Sequence, residues 1–207
     1  MSPKEVSYQT EILRVDLETK KTSIDIIDPE IVRKYIGGSG LGARLLWEEI
    51  GPNVTALSPE NHLMFLVGPI TGVVPLGSRC TVCALSPATG GWGEARVGGS
   101  WPTELRRTGL TAIDIQGRAD KPVYLYLRDR EVQIRDASHV WGKDTYEVSD
   151  ILRQETDDKA KVAAIGQAGE NLARIAGIIS EGRLGRAAAR GGMGAVMGSK
   201  NIKAVVV

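Results

Sequence analysis

The sequence predicts an α+β fold that is rich in β-strands and is built from a duplicated strand-helix-strand unit. Short runs of β-branched and aliphatic residues recur along the 207 residues and are separated by turn residues. Glycine occupies 25 positions, about twice its usual share, which favours turns and close backbone contacts over long helices. A weak internal repeat also runs through the chain at offsets of 92 to 98 residues.

The N-terminal part of the chain is predicted to form a hairpin followed by two helices. The β-type runs 8–15 and 22–27 flank a short polar turn, which is typical of a hairpin. Asp28-Pro29 has the residue types of a helix N-cap and first helical position, and this helix should end at Gly37-Gly38. A second helix is predicted at 41–50.

The rest of the chain is predicted to alternate short strands with three further helices. Apolar or alternating runs mark the strands, and turn residues separate them. Turn residues dominate 86–93, so this segment is predicted to be irregular. The predicted strands are 63–67, 78–85, 112–116, 123–127, 131–134, 162–165, 173–179 and 201–207, and the predicted helices are 102–107, 144–155 and 192–198.

Four echoes in the same order indicate an internal duplication. The echoed features are Gly68-Pro69-x-x-Gly72 with Gly166-Gln167-x-Gly169, Arg79 with Arg174, Ser86 with Ser180, and Gly98-Gly99 with Gly191-Gly192, the last pair each followed by a helix and a strand. The repeats span roughly 60–116 and 160–207 of a single domain, 1–207. Two copies of one unit would place two similar Gly/Arg sites about a pseudo-twofold axis.

The stretch from Ser180 to Lys200 is the first candidate binding segment. It holds six glycines together with three arginines and Lys200. A Gly-rich turn that leads into a helix exposes N–H groups that attract anions, and arginine forks fit phosphate oxygens. The alternative is an arginine-bearing surface loop followed by a small-residue helix that packs close to a sheet.

Composition and charge limit the class of protein. The chain has 26 basic and 25 acidic residues, so no overall charge favours nucleic acid or an anionic membrane. It contains no apolar run of about 18 residues and no signal-peptide pattern at its start. We therefore expect a cytoplasmic protein.

Two further motifs are weak. Cys80 and Cys83 have the spacing of a redox or metal motif, but they fall in a predicted strand, where they would point to opposite faces. Two thiolates alone cannot complete a four-ligand zinc or iron-sulfur site, and the chain has only two histidines elsewhere. The glycine-rich segment 37–42 lacks the preceding strand of a dinucleotide fold and the lysine of a P-loop.

Ordered motifs over essentially the whole chain resemble one family, the N-terminal domain of the tungsten-containing aldehyde ferredoxin oxidoreductases. The segments that carry the resemblance are Leu57-Ser58-Pro59-Glu60-Asn61, Gly68-Pro69-Ile70-Thr71-Gly72, Ser86-Pro87-Ala88-Thr89-Gly90, 121–126, 134–139, Gly169-Glu170-Asn171 and 191–201.

The resemblance implies a β-rich base beneath a tungsten bis-pterin (molybdopterin) cofactor whose two phosphates are bridged by magnesium. It implies that Arg79 lies beside the pterin phosphates, and that main-chain carbonyls of Arg96 and Ala187 bind the magnesium. The full set of cofactor-binding residues implied in this way is Arg79, Arg96, Gly98, Gly99, Arg186, Ala187, Ala188, Ala189 and Gly191.

The chain departs from the family pattern at two of these positions. Arg96 stands where many members have Asn. The main-chain carbonyl is still present as a ligand after this change, and the arginine adds a positive charge. Ala189 replaces a common Gly, which requires a negative φ at this residue. The family's cluster-binding cysteines and acid/base residues lie in other domains, so the iron-sulfur cluster is expected there or on a partner chain.

Three functions remain open at this point. The first is a tungstopterin-binding module of an enzyme that oxidises aldehydes to acids with ferredoxin as acceptor, inactive without the cluster-binding domains or a partner subunit. The second is a stand-alone, non-catalytic binder of pterin or another phosphorylated ligand. The third is a degenerate domain that has lost its ligand, which the presence of Arg79, Arg186 and the paired glycines disfavours.

The cofactor-facing surface is expected to be uncovered in the isolated chain. It is predicted to gather 90–93, 97–101 and 186–193, with Trp92 and Trp101 as exposed docking anchors. Such a surface predicts self-association or binding to the other domains of the enzyme.

Overall fold

A computed structural model describes residues 9–207, which form two six-stranded sheets and six α-helices. Tyr8, the predicted start of the first strand, lies outside the described residues. The strands are β1 Thr10–Asp16, β2 Lys21–Ile27, β3 Leu63–Val67, β4 Arg79–Leu85, β5 Trp92–Gly98, β6 Ala112–Gln116, β7 Val123–Arg128, β8 Glu131–Asp136, β9 Val162–Ala164, β10 Ile178–Ser180, β11 Arg186–Ala188 and β12 Ile202–Val206. The helices are α1 Pro29–Tyr35, α2 Gly38–Glu49, α3 Trp101–Arg107, α4 Thr145–Glu155, α5 Gln167–Glu170 and α6 Met193–Ser199.

The two sheets have the same strand order. The first runs β2-β1-β6-β3-β4-β5 and the second runs β8-β7-β12-β9-β10-β11. In each sheet an N-terminal hairpin joins the others through a single parallel pairing, β1 with β6 and β7 with β12, and the remaining pairings are antiparallel. The mixed α+β architecture predicted from the sequence is confirmed, and the matched order gives each half the same topology.

The main core lies between the two sheets. Leu13, Phe65 and Val82 from the first sheet and Leu125 and Ile178 from the second belong to one buried cluster. The helices α3 and α6 also contribute buried side chains to this cluster. Each Å² of apolar surface that is buried contributes about 25 cal/mol. We therefore expect this large interface to be the main source of stability.

Helices cover the outer faces of the sheets. The apolar side of α2 packs on the first sheet, where Leu41 and Leu45 meet Met64 and Cys83. The helix α4 packs on the second sheet through Val148 and Leu152, with Asp144 as an N-cap that accepts hydrogen bonds from two main-chain amides. None of the helices in the described part of the chain is both long and apolar enough to cross a membrane.

Most predicted elements appear within a few residues of their expected bounds, but three differ. The strand β5 was not predicted: only its first two residues overlap the segment 86–93 predicted to be irregular, and no element was predicted for the rest of it. The predicted strand 173–179 is reduced to β10, because residues 173–177 form a turn with irregular backbone on either side of it and the short helix α5 precedes them. The strand β11 falls within the stretch that was treated as a Gly/Arg loop.

Candidate functional site

The two sheets meet at matching edges. The strands β5 and β11 are edge strands that lie next to each other, so each has one side outside the hydrogen-bonded ladder of its own sheet. A cleft of about 430 Å³, which we call the edge cleft, opens between them. It is lined by Glu94, Ala95, Arg96, Ala187, Ala189 and Arg190.

Glycines allow main chain from the two halves to approach closely beside this cleft. A Cβ on Gly191 would lie 3.4 Å from Cα of Gly93, and Gly191 has φ of +68°, a conformation that favours glycine. The Ser86 hydroxyl donates to the Gly191 carbonyl at 2.8 Å. The end of β4 is therefore fastened to the turn that opens α6.

A reciprocal link fastens the other half. Glu181 follows β10, and its carboxylate accepts hydrogen bonds from the amide of Ser100 at 2.8 Å and that of Trp101 at 2.9 Å. Its second oxygen accepts from the Ser100 hydroxyl at 2.7 Å. This contact requires a glycine at 99, because a Cβ there would lie 2.7 Å from the Glu181 side chain.

Arg79 lies at the end of β5 rather than inside the edge cleft. Its backbone pairs with Gly98, and its guanidinium lies 3.4 Å from the point where a Cβ on Gly98 would be. The adjacent Ser78 hydroxyl donates to the Gly99 carbonyl. Gly98 thus leaves room for an arginine that is exposed to solvent.

The arginines near the cleft differ in their partners. Arg96 forms an ion pair with Glu94 at 3.2 Å and donates to the Ser39 hydroxyl at 3.3 Å. Arg79 and Arg186 are both exposed, and within 9–207 neither forms an ion pair with a carboxylate. Both guanidinium groups are therefore available to an anion from outside the chain.

The structure brings together some of the predicted residues and separates others. Arg96, Ala187 and Ala189 line the edge cleft, Gly191 borders it, and Arg79 lies with Gly98 and Gly99 at its end. The Ala188 side chain is buried in the core, so only its main chain can face a ligand. Ala189 is absent from the described residues with positive φ, which fulfils the condition for replacing glycine there.

Two expectations are wrong. Lys200 is fully buried and donates to the carbonyls of Pro59 and Gly117, so it takes no part in an anion site. Trp101 is fully buried, and its indole N–H donates to the Val205 carbonyl at 3.1 Å, so it is a core residue and not a docking anchor. Trp92 remains 39% exposed.

The two cysteines point to opposite faces of β4, as predicted. Cys80 lies in the core between the sheets, and Cys83 lies under α2. Both thiols are free, and burial raises the pKa of each. Because the two thiols lie on opposite faces of the strand and in separate apolar clusters, they are not placed to bind one metal ion together.

One other cluster of ligand-type side chains lies under α2 in the described part of the chain. His62 Nδ1 is 2.9 Å from Asp114 Oδ2 and 3.6 Å from Glu49 Oε2. The Arg14 guanidinium pairs with Glu49 at 2.7 Å and also with Asp114. Because Arg14 already pairs with both carboxylates, we interpret the cluster as an internal ion network. Sequence reasoning missed this network, and no motif marks it.

Glu181 and Ser86 were also missed as residues that shape the site. Ser86 and Ser180 were identified only as members of the repeat, and Glu181 directly follows Ser180. The signal that could have found them was the repeat itself, since Ser86-Pro87 and Ser180-Glu181 occupy equivalent positions.

A protein-family comparison decides the affiliation. The model of the aldehyde ferredoxin oxidoreductase N-terminal domain matches residues 12–207. The chain belongs to this family. Tungsten-containing aldehyde ferredoxin oxidoreductases of Pyrococcus furiosus and Pyrococcus abyssi are each 46% identical over 197 and 202 residues, which is 94% and 97% of this chain and 32% and 33% of those proteins.

Other proteins that are similar to this chain have names that indicate different activities. The aliphatic sulfonate oxidoreductase, WOR-like subunit, of Pyrococcus furiosus is 35% identical over 216 residues, covering 97% of this chain and 34% of that protein. A solved structure, the active site complex BamBC of benzoyl coenzyme A reductase in complex with 1,5-dienoyl-CoA, superposes with a TM-score of 0.91 at 41% identity, covering 95% of this chain and 30% of that chain. The chain thus spans about a third of the length of these relatives.

Proposed function

We propose that this chain is the tungstopterin-binding module of an oxidoreductase that converts aldehydes to carboxylic acids with ferredoxin as electron acceptor. The observation that carries the proposal is the edge cleft, where the two halves of the fold bring Arg96 beside Ala187. These are the two residues whose carbonyls the family resemblance assigns to magnesium.

The chemistry of the donor set fits such a cofactor. Strands β5 and β11 are edge strands, so they can offer main-chain carbonyls that no neighbouring strand uses, and magnesium prefers oxygen ligands. Arg79 and Arg186 supply exposed guanidinium groups without acidic partners among the described residues, which suits phosphate oxygens. Arg96 would bind magnesium through its carbonyl while Glu94 and Ser39 hold its side chain away.

The role assigned to the chain is binding and orientation. The bound tungstopterin would supply the oxidation-reduction chemistry, and the chain's own residues would hold its phosphates and magnesium. Relatives named for aldehydes, an aliphatic sulfonate and a coenzyme A ester all share this domain. This supports the placement of substrate selection in other domains or a partner subunit, and the family resemblance assigns the iron-sulfur cluster and the ferredoxin contact to the same place.

The surface beside the module supports docking of the rest of such an enzyme. A mainly apolar groove of about 630 Å³ runs between α2 and the start of β5. Trp47 is 85% exposed at this groove, which also contains Trp92, Ile50 and Leu85. Because the relatives are about three times as long as this chain, we assign the groove to the polypeptide that makes up their other two thirds.

Binding of magnesium pyrophosphate, a probe with two linked phosphate groups, tests the proposal. In calorimetric titrations of the full chain, Arg79→Ala and Arg186→Ala should each weaken binding by about tenfold, because each removes a charge-assisted contact. The control is Arg128→Ala, which removes an exposed arginine at the end of β7. An affinity for magnesium pyrophosphate that is unchanged in both Arg79→Ala and Arg186→Ala would contradict the proposal. Binding of pyrophosphate without any dependence on magnesium would favour a stand-alone binder of phosphorylated ligands.

A further inference from the structure

Glu181 occupies a costly conformation to make its contacts. Its φ of +67° lies in the left-handed region, which residues other than glycine rarely adopt. Such a conformation persists when surrounding contacts over-determine it. The contacts here are the two amides at the start of α3 and the Ser100 hydroxyl, all accepted by one carboxylate.

These contacts join the two segments that border the edge cleft. Ser100 stands two residues after the end of β5, and Glu181 stands five residues before the start of β11. The carboxylate therefore fastens the chain that leaves one cleft strand to the chain that approaches the other. A short turn at Gly182–Leu184 continues directly from Glu181 toward Arg186.

The equivalent position in the first half of the chain behaves differently. Ser86-Pro87 contacts the Gly191-Gly192 turn, as Ser180-Glu181 contacts the Gly99-Ser100 turn, but the Pro87 side chain has no atom that can accept a hydrogen bond. The two links are thus equivalent in place and unequal in chemistry. In the second link a negative charge already occupies the amides at the start of α3, which leaves Arg79, and not these amides, to hold an external anion.

We infer that Glu181 is a positioning residue that fixes the geometry of the edge cleft by tying the approach to β11 to the exit from β5. The inference rests on the proposed function only for the identity of what the cleft holds. Removing the negative charge should loosen both sides of the cleft at once. A carboxylate that merely capped α3 would affect only the start of that helix.

Hydrogen-deuterium exchange of the full chain separates these roles. Glu181→Gln keeps the size of the side chain but loses its charge, and we expect amide exchange to accelerate by about tenfold both at 99–103 and across the cleft at 182–191. The matched control is Asp144→Asn, because the Asp144 carboxylate likewise accepts two amides at a helix start. This control should accelerate exchange only around 145–148.

The outcomes are distinct. Acceleration confined to 99–103 in Glu181→Gln would overturn the inference, since it is the result of simple capping. If Glu181→Gln does not fold, Glu181→Asp is used instead, because it keeps the charge but shortens the side chain. Amide exchange at 99–103 and 182–191 in that variant then distinguishes the two roles. Magnesium pyrophosphate should bind about tenfold more weakly to Glu181→Gln and unchanged to Asp144→Asn. Failure of the unsubstituted chain to bind this probe would count against the proposed function, while the exchange pattern would still decide the role of Glu181.

Discussion

At the scale of single residues, the two buried lysines show where a basic side chain is not a ligand for anions. Lys200 donates to two carbonyls, and Lys203 donates to the Lys143 carbonyl and pairs with Glu170. Both are fully buried. Their ammonium groups donate to internal oxygen acceptors. These contacts fix the start of β12 to neighbouring segments.

Lys200 should make the stability of the protein depend on pH in the alkaline range. Burial lowers its pKa from 10.5 to about 8, so between these values the unfolded chain holds a proton that the folded chain has lost. The unfolding free energy should therefore rise with pH, by up to about 3 kcal/mol between pH 8 and 10.5, and this group contributes no further change below pH 8.

Urea unfolding at several pH values measures this dependence. Lys200→Met keeps the length of the side chain and removes the titrating group, so the rise from pH 8 to 10.5 should be smaller in this variant. Equal slopes in the two proteins would show that Lys200 is not the source.

The residues of the candidate site could be predicted only from their positions relative to the motifs of the family. Arg96 and Ala187 were assigned by the family resemblance alone, and both line the edge cleft. Lys200 and Trp101 were misplaced because residue type alone does not reveal burial. Each satisfies its polar group with a main-chain carbonyl from a distant segment, and no local pattern marks that contact.

At the scale of elements, β5 explains why part of the fold was missed. Its inward positions are Gly93, Ala95 and Val97, which are small because the Met193 side chain packs against this strand. Strand predictions rely on large β-branched and aromatic residues, so a strand with glycine and alanine on its buried face resembles a loop. The long apolar runs of β3 and β7 were predicted well for the opposite reason.

The helix α6 depends on glycines for a different reason, namely backbone contact. A Cβ on Gly198 would lie 2.0 Å from the Gly169 carbonyl oxygen, and one on Gly194 would lie 2.4 Å from that of Gly177. We expect Gly198→Ala to lower the unfolding free energy by at least about 2 kcal/mol, because main chain must move to admit the methyl group.

Thermal unfolding monitored by circular dichroism measures the loss. Gly91→Ala is the control, since no atom lies within 4 Å of its Cβ position, and it should change the stability by less than about 0.5 kcal/mol. A neutral Gly198→Ala would mean that α6 lies farther from Gly169 than described.

At the scale of the whole molecule, tryptophans occur both on the exposed apolar groove and in the buried core between the sheets. Trp47 and Trp92 line the groove, whereas Trp101 fills the core and packs against Phe65 with ring centroids 5.4 Å apart. We expect the isolated chain to self-associate through the uncovered groove. Trp47→Ala and Trp92→Ala should shift it toward monomer and leave the fold intact.

Trp101→Ala should act on stability instead, with a loss of about 3–5 kcal/mol, because it opens a cavity in the core. Sedimentation velocity and thermal unfolding of the three variants distinguish the two effects. A monomeric unsubstituted chain at tens of micromolar would contradict self-association through the groove.

The reciprocal links between the halves have a consequence for how such a fold can exist. Ser86 of the first half reaches the second, and Glu181 of the second half reaches the first, as residues do across an isologous twofold interface. The two halves, which share one strand order but differ in sequence, are thus arranged like the subunits of a pseudo-symmetric dimer within one polypeptide. Either half made alone would expose a face with buried aliphatic residues such as Leu63 or Leu125, and it would have to recruit a second copy of itself to cover that face.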